Sequence, residues 1–379
     1  MHDQVETILA NVSGDAFESV ARGVLHDPNA VITGTPIFDE ITNSHNDQRT
    51  IGIVKVSGRA LVTAGERHWS SVVKIIDSAH ASGDAAIWSF PENEQKVYEL
   101  GLFTDDGLRL RPARCYLTQT VEDSTKLLWL EDLTQAPQPP WALDDFITAA
   151  NHLGQFNGYH SANQTVPPIN VTRDAFLLRA SGSKFKSGFA EVVEKSDTRE
   201  VRQAYRDTRV ESGMELAVLF EQVLETVRSM PHGLCFGDSH SRNLFPVESE
   251  TVGIDWASLA MDPTGVDIGV LIGSALTYGV EEAQLLALNE PAVYDSYLSG
   301  LRSTGWVGDL NDVRLGFFAQ FSGYLSAVGT VPAKLEQYRE RRVWIEKRLG
   351  VALEDVPEHL APIVALIPGY VEELKILLG

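Results

Sequence analysis

The sequence predicts an α+β chain, a small antiparallel sheet carrying one key helix followed by a larger, mainly helical part. Two observations predict it. Residues 30–130 hold short runs rich in β-branched residues, separated by Gly, Ser and Asn. Beyond the proline-rich stretch Gln135–Pro140, apolar residues recur at spacings of three and four.

Along the chain, Val5, Ile8, Leu9, Val12, Phe17, Val20 and Val24 predict helix over residues 4–25, which Gly14 and Asp15 divide in two. Ile51–Val56, Ala60–Ala64, Ser71–Ile76, Cys115–Thr120 and Leu127–Leu130 read as strands, and Pro91–Leu100 as the helix among them. Asp144–His160 and Glu211–Met230 read as helices, and Leu244–Val247 and Val252–Ile254 as two short strands. From Asp267 to Gly379 the pattern is helical, with breaks expected at Gly305–Gly308, Gly329–Pro332 and Pro362–Pro368. Ser181–Gly188 reads as a mobile surface loop. The division expected is residues 1–130, a linker over 131–140, and residues 141–379.

Composition narrows the function classes. The chain has 379 residues, 44% of them hydrophobic and 22% charged, which is ample for a core without disulfides or a structural metal. Lys plus Arg is 31 and Asp plus Glu 52, a net charge of −21 that repels nucleic acid and anionic membranes. Its longest basic run, Arg339–Arg342, reads as a solvated helix face. Two cysteines, no leader pattern and no apolar run of spanning length lead us to expect a cytoplasmic protein. Oligomeric state cannot be read from the sequence.

The segment that carries chemistry is Phe236-Gly237-Asp238-Ser239-His240-Ser241-Arg242-Asn243, followed by Ile254-Asp255-Trp256. An Asp, an Asn five residues on, and a second Asp on the next strand are what phosphoryl transfer from a nucleotide requires. One carboxylate orients the acceptor hydroxyl and takes its proton, while the amide and second carboxylate hold Mg²⁺ against the phosphates. A strand–turn–strand between Asn243 and Asp255 would let them face each other.

These residues resemble the catalytic loop His-Gly-Asp-x-His-x-x-Asn and the later Ile-Asp-Trp or Ile-Asp-Phe of the aminoglycoside phosphotransferase and choline kinase-like enzymes. The resemblance implies a bilobal protein kinase-like fold, with a nucleotide-binding N-terminal lobe. It implies an ATP-dependent phosphotransferase (GTP is the other nucleotide it allows) acting with Mg²⁺ on a hydroxyl of a small molecule. It makes Asp238 catalytic and Asn243 and Asp255 the metal ligands; His240 is either a neighbour of the transferring phosphate or a loop-stabilising hydrogen-bond partner. Lys74, in Val72-Val73-Lys74-Ile75, becomes the strand lysine on the α and β phosphates, and Glu94 its helix partner, with Glu92 and Glu99 as rivals. Ser57 and Gly58, within Ile53–Leu61, become the loop over the phosphates. Glu131 and Leu133 become the hinge whose backbone meets the adenine. Asp267 becomes a tie to the catalytic loop, and Trp256 a residue packed beneath the nucleotide. The sequence departs from the pattern at Phe236, where the family carries a bracing His, so bracing must come from elsewhere.

Two other classes fit less of the sequence. Gly237-Asp238-Ser239 superficially resembles an esterase motif with Ser239 as nucleophile, but the motif lies deep in the chain and Asp355 and His359 are misplaced for a partner pair. A nucleotide-binding pseudokinase with a regulatory role would suit Phe236. No acceptor motif is legible in the C-terminal third, whose Glu281, Glu282, Asp295, Asp309 and Asp312 read as solvated surface.

Overall fold

The computed structural model describes residues 3–41, 50–77, 91–104, 107–121, 124–179 and 182–379. The chain forms two compact units. The first comprises Met1–Gly107, Arg111–Ala136 and Val252–Ala257, the second Leu108–Leu110, Pro137–Thr251 and Ser258–Gly379.

The first unit is built on a five-stranded antiparallel sheet ordered Val31–Glu40, Thr50–Val62, Gly65–Asp77, Thr125–Glu131, Cys115–Thr120. Two helices, Asp3–Ala10 and Gly14–Leu25, cover one face, the second capped by Ser13, whose hydroxyl accepts the Ala16 N–H at 3.3 Å. Alternation decides which side chains meet them. In Gly65–Asp77, Trp69, Ser71, Val73 and Ile75 are buried with the residues Val5, Val20, Val54, Val56 and Trp129. Lys74 therefore lies on the opposite face, since neighbouring strand residues point to opposite sides. A third helix, Pro91–Glu99, completes the predicted set.

The phosphate loop placed at Ile53–Leu61 is corrected. Thr50–Val62 is one continuous strand in which Ser57 pairs with Ser70 and Gly58 with Trp69. A Cβ at Gly58 would meet the Trp69 indole at 3.1 Å, so the absence of a side chain here lets the two strands pack closely.

The second unit is helical. A nearly all-round buried helix, Val266–Tyr278, lies at its centre; its apolarity reflects burial in protein, and among the described residues no helix is long and apolar enough to cross a membrane. Glycines let the helices approach backbone to backbone. A Cβ at Gly154, in Leu143–Ala162, would lie 2.1 Å from Tyr297 O, and one at Gly300, in Val280–Ser303, 2.1 Å from Asn151 O. The strands Leu244–Val247 and Glu250–Gly253 are neighbours, as the strand–turn–strand reading expects.

Two further expectations fail here. Helix Gly182–Glu194 replaces most of the loop placed at Ser181–Gly188 (Ser181 lies outside the described residues) because Phe189 and Val192 are fully buried and Phe189 packs against Gly213. Helix Leu310–Tyr338 runs through the break expected at Gly329–Pro332. Tyr205 donates its hydroxyl to Gly329 O at 2.7 Å, and a Cβ at Gly329 would sit 2.9 Å from the Phe189 ring. In both places tertiary packing overrides local propensity.

Gly265 precedes the central helix with φ +105°, and a Cβ there would lie 2.1 Å from Val313 O. Both the backbone conformation and the space exclude a side chain. Gly265→Ala is expected to cost at least ~2 kcal/mol, read as a lower urea midpoint at unchanged slope.

Candidate functional site

Two sets of polar side chains stand out, one in each unit. In the first, the Lys74 ammonium lies 2.6 Å from a Glu94 carboxylate oxygen and 3.2 Å from Asp255 Oδ1. The Asp255 N–H donates to the other Glu94 oxygen at 3.1 Å. Glu94, and neither rival, is thus the partner of Lys74, and it is 2% exposed. Burial alone would drive the Lys74 ammonium to lose its proton, but the Asp255 and Glu94 carboxylates outweigh it and raise its pKa. Burial pushes the Glu94 carboxyl up, and the neighbouring Asp255 charge adds to it. Two carboxylates on one ammonium leave an excess negative charge, which suits a cation.

Asp255 adopts a left-handed backbone, φ +61°, which costs about 1–2 kcal/mol for a non-glycine residue. Trp256 anchors it. The indole is fully buried, donates to Gly253 O at 2.9 Å and stacks on Phe103 at 5.3 Å. Phe103, within the protein, is its stacking partner.

At the end of the strand Thr125–Glu131, the Glu131 carboxylate takes Arg111 at 2.8 Å, and its N–H donates to Arg114 O at 2.8 Å. That amide is therefore spent within the protein, and the Leu133 carbonyl accepts the Ala136 N–H at 3.0 Å. The sequence reading missed Asp132. Its carboxylate meets Lys55 at 2.8 Å, the Ser70 hydroxyl at 2.6 Å, and the Thr134 N–H and hydroxyl at 3.0 and 2.6 Å.

In the second unit the residues Phe236–Asn243 form a loop tied to one carboxylate. Asp267, fully buried in the first turn of the central helix, accepts the Phe236 N–H at 2.8 Å and the Gly237 N–H at 2.8 Å. The Ser239 hydroxyl donates to Asp267 O at 2.7 Å. The two bonds to the carboxylate are charge-assisted, and bonds of that kind contribute about 1.5–3 kcal/mol each. Phe236 is itself fully buried, so its ring packs in the core and its backbone supplies the tie. Gly237, at φ +90°, makes the sharp turn that presents Asp238.

Asp238 Oδ2 accepts from Asn243 Nδ2 at 2.9 Å, and Asp238 O from the same nitrogen at 3.1 Å. Both are acceptors, so the amide NH₂ faces them and the Asn243 carbonyl oxygen, the atom a cation would bind, points away. His240 accepts the Arg242 N–H at Nδ1, 3.2 Å, which leaves the proton of the neutral ring on Nε2, 3.6 Å from Asp238 Oδ2. Arg242 lies over the Tyr278 ring at 4.0 Å. Ser239, buried and donating to Asp267, is not placed as a nucleophile, and His359 Nδ1 turns to Asp355 O rather than to a carboxylate. Glu282 corrects the reading of the acidic residues as surface: it is 2% exposed and accepts the Trp141 N–H at 2.9 Å.

No known protein-family profile and no curated protein matches the chain. Solved structures do. A choline kinase from Cryptosporidium parvum Iowa II matches at 14% identity over 97% of this chain and 99% of that one, with a TM-score of 0.51. Spectinomycin phosphotransferase, solved with ADP and spectinomycin, matches at 14% identity over 96% and 99%, TM-score 0.48. An aminoglycoside phosphotransferase from Alicyclobacillus acidocaldarius matches at 12% over 94% and 96%, TM-score 0.48. The likeness to the choline kinase gives this chain a protein kinase-like fold, a five-stranded antiparallel sheet followed by a mainly helical region.

The Asp132 cluster gives a pH prediction. Burial would raise this carboxyl, but the bonds from Lys55, Ser70 and Thr134 outweigh it and hold it at about 2 against an ordinary 3.8. A depressed folded pKa contributes stability that is present above the unfolded value and lost as pH falls towards the folded one. Asp132→Asn is therefore expected to flatten the fall in unfolding free energy between roughly pH 4 and pH 2, measured by urea titration at each pH. An unchanged slope would remove Asp132 as its cause.

Proposed function

We propose that this chain is a cytoplasmic, ATP-dependent phosphotransferase that moves the γ-phosphoryl group to a hydroxyl of a small molecule such as an antibiotic, sugar, amino alcohol or biosynthetic intermediate. The observation that carries the reading is the Lys74–Glu94–Asp255 triad, on a fold of the kinase type. A lysine buried between two carboxylates is costly unless the site needs its charge, and a triphosphate needs it. The charge of the whole chain argues against nucleic acid as the acceptor.

In this reading Lys74 holds the α and β phosphates and Glu94 orients it. Backbone groups near Glu131 and Leu133 receive the base, of ATP or of GTP. Asn243 and Asp255 carry hard oxygen donors of the kind Mg²⁺ takes, and the excess negative charge beside Lys74 fits such an ion. Bound there, Mg²⁺ would neutralise charge on the phosphate oxygens. Asp238, its Oδ2 fixed by Asn243, accepts the proton of the acceptor hydroxyl. The acceptor oxygen bonds to the γ-phosphorus, the bond from that phosphorus to the β–γ bridging oxygen breaks, and the nucleoside diphosphate leaves with the bond's electron pair. His240, with its proton on Nε2, can donate to a phosphoryl oxygen. The protein contributes positioning and charge rather than covalent chemistry.

The test is a nucleotide-consumption screen against a library of hydroxyl compounds. Wild type is expected to consume ATP with at least one acceptor, and Asp238→Asn to lose about 10²–10⁴-fold in rate while ATP still raises its melting temperature. Full transfer by Asp238→Asn would overturn the assignment of the base. Nucleotide binding with no turnover of any acceptor would favour a pseudokinase.

A further inference from the structure

The tie between Asp267 and the loop Phe236–Asn243 does not end at Asp267. Asn157, 2% exposed in the helix Leu143–Ala162, donates from Nδ2 to Asp267 Oδ2 at 2.9 Å and to Leu234 O at 3.1 Å. Its Oδ1 accepts the hydroxyl of Tyr297 at 2.8 Å, and that hydroxyl in turn accepts the Gly265 N–H at 3.2 Å. The direction of every hydrogen in this chain is fixed. Asp267 and Leu234 O are acceptors only, so the Asn157 NH₂ must face them and its carbonyl must face Tyr297. Tyr297 must then donate to Asn157. Burial, helped by nearby Cys235 and Asp267, pushes the Tyr297 pKa well up, so the phenol keeps the proton it donates.

Backbone packing sets these distances. Tyr297 belongs to Val280–Ser303, and a Cβ at Gly154, one turn before Asn157, would lie 2.1 Å from the Tyr297 carbonyl. A Cβ at Gly158 would lie 2.8 Å from Leu301 O. The two helices touch through glycine, which brings the Tyr297 phenol within reach of a short amide.

We propose that Asn157 and Tyr297 are positioning residues for transfer, a relay that aims Asp267 at the Phe236 and Gly237 amides and so fixes the backbone on which Asp238 stands. The inference rests on the phosphotransferase reading for its kinetic consequences, and on geometry alone for its structural ones. Asp238 touches neither residue, so the relay acts through Asp267 and the loop backbone.

The experiment uses the full chain with Asn157→Asp and Tyr297→Phe. Asn157→Asp keeps the shape and places a second carboxylate against Asp267; Tyr297→Phe deletes one hydroxyl and tests the relay if the first variant folds poorly. Hydrogen exchange is followed at the Phe236 and Gly237 amides, and kcat and KM for the nucleotide are measured with an accepted hydroxyl compound. A misplacement of the base by about 1 Å costs on the order of 100-fold in rate. Asn157→Asp is thus expected to lower kcat by roughly 30- to 100-fold with KM for nucleotide within about twofold, and Tyr297→Phe by roughly 3- to 10-fold in the same pattern. Exchange at the two amides should speed up in the same order. Unchanged exchange at Phe236 and Gly237 in both variants overturns the relay, and so does a loss that tracks only the fraction of folded protein. If wild type itself transfers phosphate to no acceptor, the phosphotransferase reading fails, while the exchange measurements still decide whether the relay braces the loop.

Discussion

In the second unit the loop Phe236–Asn243 is built around the buried carboxylate of Asp267. Asp267 lies fully inside the protein, and the Phe236, Gly237 and Asn157 N–H groups are aimed at its carboxylate. A buried carboxylate left without such donors costs several kcal/mol, so the loop and the helices must close on it together. This links fold to chemistry directly. The sharp turn at Gly237 and the aim of Asp238 follow from where those two amides must point. The glycine contacts between Leu143–Ala162 and Val280–Ser303 follow from where Asn157 and Tyr297 must meet.

The first unit poses the converse problem, a buried cation with two anions. Lys74 is held by Glu94 and Asp255, and the left-handed backbone of Asp255 directs its N–H back to Glu94. Strain at one residue, a surplus of negative charge and a buried lysine coincide there, and the proposed nucleotide site rests on that coincidence. Such strain persists because Trp256 and Phe103 pack around the turn.

Much of this was legible in the sequence, and the reasons are physical. Lys74 stood out because a lysine between Val73 and Ile75 needs a partner, and strand alternation puts it on the face away from the core. Asp238, Asn243 and Asp255 stood out by residue type and spacing. Helix Gly182–Glu194 did not, because Gly and Ser composition argues for a loop and only the pocket around Phe189 shows otherwise. The strand through Ser57 and Gly58 was misread because one glycine in a β-branched run fits a loop and a tightly packed strand equally well. Asn157 carried a faint signal, a polar residue on the stripe of Leu153, Phe156 and His160, but its partners come from residues 77 to 140 positions away. Contacts at that separation leave no local trace.

The central claim is that this kinase-type fold holds a nucleoside triphosphate through Lys74 and a divalent cation. Calorimetric titration of ATP into wild type and Asp255→Asn, with Mg²⁺ and with the metal chelated, tests it most directly. The account predicts binding by wild type that strengthens with Mg²⁺, and loss of that metal dependence in Asp255→Asn. Absence of ATP binding, or binding indifferent to both the metal and Asp255, would contradict it.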